Sequence, residues 1–147
     1  MLQPLILDFE SYYSADFKLS KLSTVQYVRC PEFKVHGVGL KWNDQYLWIT
    51  GTDIQDFFNS LPWAEIALIG HNLYFDAMVL NHVYGHKPAA YRDTRSMANF
   101  ALPSCHDKSL EACAQLLEVE GKVKGTLDET QGRRDLPVEL LARLGEY

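Results

Sequence analysis

The chain has 147 residues, 47% hydrophobic and 22% charged, with a formal net charge of −5. That length suits one domain with a real core, and the composition is that of an ordinary soluble globular protein. The acidic balance excludes a general nucleic-acid-coating protein, but not a nucleic-acid enzyme whose carboxylates gather around metal ions. Cys30, Cys105 and Cys113 are odd in number and lack CxxC spacing, so they read as reduced thiols of a cytoplasmic protein. No basic amino-terminal region or long apolar run suggests a signal peptide or a membrane span.

The first predicted element is a buried strand, Leu5-Ile6-Leu7-Asp8-Phe9-Glu10-Ser11. Side chains alternate faces along a strand, so Asp8 and Glu10 point the same way, roughly 7 Å apart. Two neighbouring buried carboxylates repel and need compensation. No lysine or arginine lies within seven residues on either side. Two explanations stand: a divalent metal ion, or a Glu10 already in the following turn and solvated.

Ser11 to Lys21 reads as loop, and Ser23 or Thr24 caps a short helix through Arg29, stopped by Pro31. Phe33 to Trp42 alternates as a strand, Asn43-Asp44 signals a turn, and Tyr46 to Ile49 returns as a hairpin. Thr52-x-x-Gln55 predicts a capping box for a helix carrying Ile54, Phe57 and Phe58 and ended by Pro62. Ile66 to Ile69 is a short buried strand leading into Gly70-His71-Asn72.

A helix from Tyr74 to Tyr84 follows, with Gly85 as its stop and Pro88 beyond. Further helices are predicted from Asp93-Thr94 through Ala101, closed by Pro103, and from Ser109 through Leu117. The second of these would bury Leu110, Cys113, Leu116 and Leu117. Gly121 to Gly132 reads as a mobile, charged loop. A last helix starts near Pro137, carries Leu140, Leu141 and Leu144, and is still running at Tyr147. The pattern predicts an α/β fold, a mixed sheet flanked by helices. Trp42, Trp48 and the phenylalanines of the hairpin and helices read as core.

Asp76 shares a helix face with Val79, Leu80 and Val83. An acid in the first turn complements the helix dipole, yet that would be met equally well facing outwards. Its inward position is explained if it meets charge near Asp8 and Glu10. Three converging carboxylates make a hard, all-oxygen site suited to Mg²⁺ or Mn²⁺.

Leu7-Asp8-Phe9-Glu10-Ser11 and His71-Asn72-Leu73-Tyr74-Phe75-Asp76 resemble the first two motifs of the DEDD (DnaQ-like) 3′-5′ exonucleases. The likeness is greatest to the proofreading domain of bacteriophage-type family A DNA polymerases. Ser11-Tyr12-Tyr13-Ser14, Tyr91-Arg92-Asp93-Thr94 with Met97-Ala98, and Ser109-Leu110-Glu111-x-Cys113-Ala114 add to it. The resemblance implies a ribonuclease-H-like mixed sheet flanked by helices, two divalent cations (Mg or Mn), and hydrolysis of single-stranded DNA 3′ ends to nucleotide monophosphates. Asp8, Glu10 and Asp76 would be the metal ligands, while Ser11, Asn72 and Phe75 would contact the terminal nucleotides. It also implies a cytoplasmic setting in a bacterial or phage-infected cell, and a polymerase domain in the same or a partner chain.

The family's third motif is Tyr-x-x-x-Asp. Tyr147 stands where its tyrosine would be, and the aspartate would fall four residues later. Residues 1–147 are therefore expected to form an exonuclease domain that stops just before the last acidic motif, with impaired catalysis. Asp135, Glu139 and Glu146 are weaker substitutes. The alternative is a nuclease-dead nucleic-acid-binding or structural module of a larger polymerase.

Other constellations carry less. His82 and His86 have helical spacing for zinc, but Gly85 intervenes and a solvated pair fits better. His71 near the proposed site suits a structural hydrogen bond better than a phosphate contact, and Asp93-Thr94 a helix cap better than a catalytic acid. Ser96, His106 and Asp107 have no spacing that supports a nucleophile triad. Lys122, Lys124, Arg133 and Arg134 form either a basic rim for a nucleic-acid backbone or a solvated loop.

Overall fold

The computed structural model describes residues 1–119 and 127–145. A five-stranded sheet has the order β3-β2-β1-β4-β5. Its strands are β1 (Gln3–Ser11), β2 (Val35–Trp42), β3 (Gln45–Thr50), β4 (Ile66–Gly70) and β5 (Ala90–Asp93). β1, β2 and β3 pair antiparallel, and β1, β4 and β5 parallel, so the sheet is mixed as expected.

Seven helices are described: α1 (Thr24–Arg29), α2 (Asp53–Asn59), α3 (Tyr74–His82), α4 (Thr94–Ala101), α5 (Leu110–Leu116), α6 (Leu127–Thr130) and α7 (Val138–Leu144). None of the described helices is long and apolar enough to cross a membrane.

Alternation along β1 divides the molecule. Leu5, Leu7 and Phe9 are buried, while Ile6 and Asp8 are exposed and Glu10 is half-buried on the other face. The buried set meets Val38 and Leu40 across the β1–β2 ladder and packs with Tyr27 and Val28 of α1, Ile54 and Phe58 of α2, and Val79 and Leu80 of α3. Phe58 is fully buried, edge-on to Phe9, Trp63 and Tyr84. His36 is buried on β2, no described residue hydrogen-bonds its Nε2, and burial lowers its pKa to about 4, keeping it neutral.

Local chemistry accounts for several boundaries. Ser23 caps α1 in a full capping box with Gln26. Asn43 and Asp44 both adopt positive φ (50° and 61°), which a tight hairpin turn between twisted strands demands.

Elsewhere the structure departs from the pattern. Thr52 sits in helical conformation and makes no capping bond. Gln55 turns instead to Asn59, the Tyr84 carbonyl and His86. β5 was not legible, being four residues with an arginine and an aspartate at a sheet edge. Leu110, Leu116 and Leu117 are about half exposed, and α5 buries only Cys113 and Ala114, so its predicted apolar stripe is not a packed face. Val83 is likewise 43% exposed. α7 ends at Leu144 with Gly145 as its C-cap rather than running on. Part of the predicted 121–132 loop is α6, and residues 121–126 of it, with Lys122 and Lys124, lie outside the described residues.

The two caps give a paired test. Ser23→Ala should cost about 1 kcal/mol in urea unfolding, because it orphans helix N–H donors, whereas Thr52→Ala should cost under about 0.5 kcal/mol. Equal losses would mean that Thr52 caps α2 after all.

Candidate active site

β4 pairs with β1 only from Gln3↔Ile66 to Ile6↔Ile69. Beyond Ile6 the β4 side of β1 loses its strand partner, and α3 begins beside it. Asp76, in the first turn of α3, accepts a hydrogen bond from the Phe9 backbone N–H through Oδ1 at 2.9 Å. Phe9 lies between Asp8 and Glu10, so this bond draws the third carboxylate to the segment that carries the other two.

Electrostatics follows from that position. Asp76 is only 5% exposed, and its pKa is raised to about 7. Burial is the largest cause, the Phe9 N–H opposes it, and the charges of Asp8 and Glu10 push it further up. Asp8, by contrast, is exposed, so the expectation of a buried pair on the opening strand is corrected: the strand's alternation puts Asp8 at the surface. Glu10 remains within β1, just before a bulge at Ser11, and has not left for a solvated turn.

All three side chains offer carboxylate oxygens, and Asp76 is buried beside like charge, a combination that suits a hard divalent cation. Among the described residues, however, no group of three or more His, Cys, Asp or Glu side chains is gathered closely enough to hold an ion. The donor chemistry fits Mg²⁺ or Mn²⁺, but the described side chains do not form a closed ligand set.

The proposed nucleotide contacts are spread around this point. The Ser11 hydroxyl lies 3.1 Å from the Tyr27 hydroxyl, which itself donates to the Tyr12 carbonyl. Asn72 is exposed at φ 63°; its N–H donates to Asp93 at 2.9 Å and its side-chain oxygen accepts from Arg95 at 3.2 Å. Phe75 is half-buried in an aromatic cluster, 6.5 Å edge-on from Phe33 and 6.1 Å from Tyr27, so much of its ring is committed to packing. Tyr147 and Glu146 lie outside the described residues.

The lesser constellations resolve structurally. Both nitrogens of His71 are engaged, with Thr94 Oγ1 at 3.0 Å and the Lys108 carbonyl at 2.8 Å. Asp93 caps α4. Burial would raise its pKa, but hydrogen bonds from Ser96, Arg95, Asn72 and Leu73 hold it below the usual carboxylate range. His86 is not a solvated partner of His82, because its ring stacks on Trp63 at 5.2 Å. Asp135 pairs with Lys34 at 2.6 Å on the surface, and Glu139 is exposed in the first turn of α7. Arg134 reaches the Pro31 carbonyl at 3.3 Å.

What the sequence missed is on the same face as the acids. Gly39 and Gly37 oppose Asp8 and Glu10 across the ladder, and Trp48, expected in the core, lies over them half-buried. A hairpin strand written Gly-x-Gly opposite an Asp-x-Glu was the available signal.

Solved structures resemble this fold over nearly the whole chain. Brucella melitensis NrnC superposes with a TM-score of 0.65 at 18% identity, covering 99% of this chain and 66% of its own, just under two thirds. The fold is ribonuclease-H-like. Further NrnC structures contain bound Mg²⁺ or pGG. Escherichia coli RNase D, an exoribonuclease involved in structured RNA processing, matches with a TM-score of 0.62 at 16% identity, over 96% of this chain and 34% of its own. Trypanosoma brucei RNase D in complex with RNA U12 matches at 0.61 and 13% identity, over 99% and 51%. No protein-family model and no curated protein matches the chain.

The buried carboxylate makes a prediction with a definite sign. Because Asp76 holds its proton more tightly folded than unfolded, its contribution is favourable below about pH 4 and is lost as pH rises towards 7. Asp76→Asn should therefore be more stable than wild type at pH 8 by roughly 2–4 kcal/mol, with the gap closing by pH 4. Urea midpoints at the two pH values measure it, and added Mg²⁺ should narrow the gap at pH 8 by stabilising the wild type alone.

Proposed function

We propose that the chain is a metal-dependent 3′-5′ exonuclease domain that hydrolyses phosphodiesters at single-stranded nucleic-acid 3′ ends and releases nucleotide monophosphates. The observation that carries this reading is the Asp76 carboxylate docked on the backbone between Asp8 and Glu10. The ribonuclease-H-like fold supports it, as do nuclease neighbours such as E. coli RNase D.

Asp8, Glu10 and Asp76 are the residues that would hold two divalent cations. Such ions lower the pKa of an attacking water and stabilise the leaving 3′ oxygen. The chain's own part is positioning and charge. The Phe9 N–H fixes one Asp76 oxygen, and Asp76 takes up its negative charge fully once positive charge offsets its neighbours. Asn72 presents an exposed amide at the strand-to-helix corner, braced by Arg95, for a sugar or base edge of the terminal nucleotide. Ser11 and the open part of Phe75 serve the same end, and Tyr147 would orient water.

On substrate, the motif likeness points to DNA and to a proofreading role beside a polymerase domain in the same or a partner chain. NrnC with pGG and T. brucei RNase D with RNA U12 instead favour RNA or short oligonucleotides, and we rank that class equally. A second reading, a catalytically silent nucleic-acid-binding module, draws on the absence of a grouped three-ligand set among the described residues.

Matched 5′-labelled single-stranded DNA and RNA, incubated with Mg²⁺ or Mn²⁺, separate these readings. The expected product is a ladder of progressively shortened strands, abolished by chelation and reduced at least about a hundredfold by Asp8→Ala or Glu10→Ala. Strands left intact under both metals would favour the silent module, and the faster of the two ladders names the substrate.

A further inference from the structure

Asp93 ends β5 and stands beside Gly70, its partner in the parallel ladder with β4. Its carboxylate serves two helices at once. Within its own element it caps α4: Oδ1 accepts from the Arg95 N–H at 3.0 Å, and Oδ2 from the Ser96 hydroxyl at 2.9 Å. Across at the β4–α3 corner, the same Oδ1 accepts from the Asn72 N–H at 2.9 Å, and the Leu73 N–H also donates to the carboxylate. The corner needs that acceptor. Asn72 is left-handed at φ 63°, a conformation most side chains avoid, and Leu73 is already helical at φ −59° and ψ −12°. Successive N–H groups in such a turn form a concavity for an anion. No side chain caps α3 at Leu73, so the acceptor comes from the neighbouring strand. Arg95 and Thr94 complete the clamp. Arg95 Nη1 donates to Asn72 Oδ1 at 3.2 Å, and the Thr94 hydroxyl to the Gly70 carbonyl at 3.1 Å.

Asp76 lies less than one helical turn beyond Leu73. A helix whose start slips by one residue presents a face turned by about 100°, which would take Asp76 off the Phe9 N–H. We propose that Asp93 is a positioning residue for the acidic site: it fixes Asn72 and the start of α3, and through them sets Asp76 on the Phe9 backbone. The proposal rests on the exonuclease reading and deepens it, since the effect of Asp93 on the reaction passes through that helix. Side-chain reach is what matters. Serine caps a helix as well as aspartate does, but its hydroxyl sits a bond nearer the backbone and falls short of Asn72 and Leu73. Asparagine keeps both the reach and an acceptor oxygen.

Amide hydrogen exchange followed by NMR tests this. In wild type the Asn72 amide should be protected although the residue is exposed. In Asp93→Ser the Phe9 amide should exchange at least about fivefold faster relative to the other β1 amides, and in Asp93→Asn within about twofold of wild type. Ser23→Ala, which removes the α1 cap, controls for general destabilisation and should leave that ratio unchanged. An unprotected Asn72 amide in wild type overturns the proposal whatever the variants do. So does a folded Asp93→Ser with the wild-type ratio, or an Asp93→Asn that loses as much as Asp93→Ser. Hydrolysis in Mg²⁺ is scored separately. Slower hydrolysis by Asp93→Ser than by Asp93→Asn carries the effect to the reaction, and equal rates overturn it. If wild type hydrolyses nothing, the exonuclease reading falls, and the exchange ratios still decide whether Asp93 sets Asp76.

Discussion

One hydrogen bond organises this molecule: Phe9 N–H to Asp76 Oδ1, across 67 residues of sequence. It exists because β4 leaves β1 after Ile6, opening the β1 edge just where the acidic segment begins. A strand edge with a free N–H needs an acceptor, and a carboxylate on the first turn of the incoming helix supplies one. In α/β sheets the carboxyl ends of neighbouring strands are where ligands are held, and here that location and the acid cluster coincide.

The position that this bond holds costs stability. Asp76 is buried beside two like charges, and the backbone N–H donors of Phe9 and of Asp76 itself do not offset the lost hydration, which is why its pKa is raised to about 7. A chain selected for stability alone would place an amide or an apolar residue there. Locally unfavourable charge held in place by a well-packed surrounding is the pattern expected where function competes with stability. The surrounding is sufficient: Leu5, Leu7, Phe9, Val79 and Leu80 are all buried within the same cluster on the opposite side of β1.

The sequence was most legible where one local rule acted alone. Alternation in β1 put Asp8 and Glu10 on one face, Ser23 and Gln26 marked the start of α1, and Asn43-Asp44 marked the hairpin. The position of Asp76 could be inferred because inward-facing acids need a reason. Legibility failed where tertiary context decides. Thr52 has the right spacing for a cap, yet its own backbone is already helical, so its hydroxyl makes no capping bond. β5 exists because a parallel edge beside β4 was available, not because Ala-Tyr-Arg-Asp favours a strand. The leucines of α5 have helical spacing but meet no core, so periodicity alone overstated their burial. Trp48 shows the same limit: an indole in a hairpin strand reads as core until the glycines opposite the acids are seen to be its seat.

That seat ties the antiparallel hairpin to the sheet face that carries Asp8 and Glu10. The parallel half, β1 with β4, sets where the carboxylates stand, because its divergence creates the opening that Asp76 fills. The antiparallel half sets what lies beside them. Cross-strand pairing fixes Gly39 opposite Asp8 and Trp48 opposite Gly39, so the order carboxylate, glycine, indole runs across three strands at one level. A one-residue slip in either ladder would turn the acids or the indole to the core face. The positive-φ turn at Asn43-Asp44 guards the register of the outer pair, and burial of Leu5, Leu7 and Phe9 guards that of the inner one. Gly145 meets the same ring just after α7, so the end of the last described helix is seated on the indole.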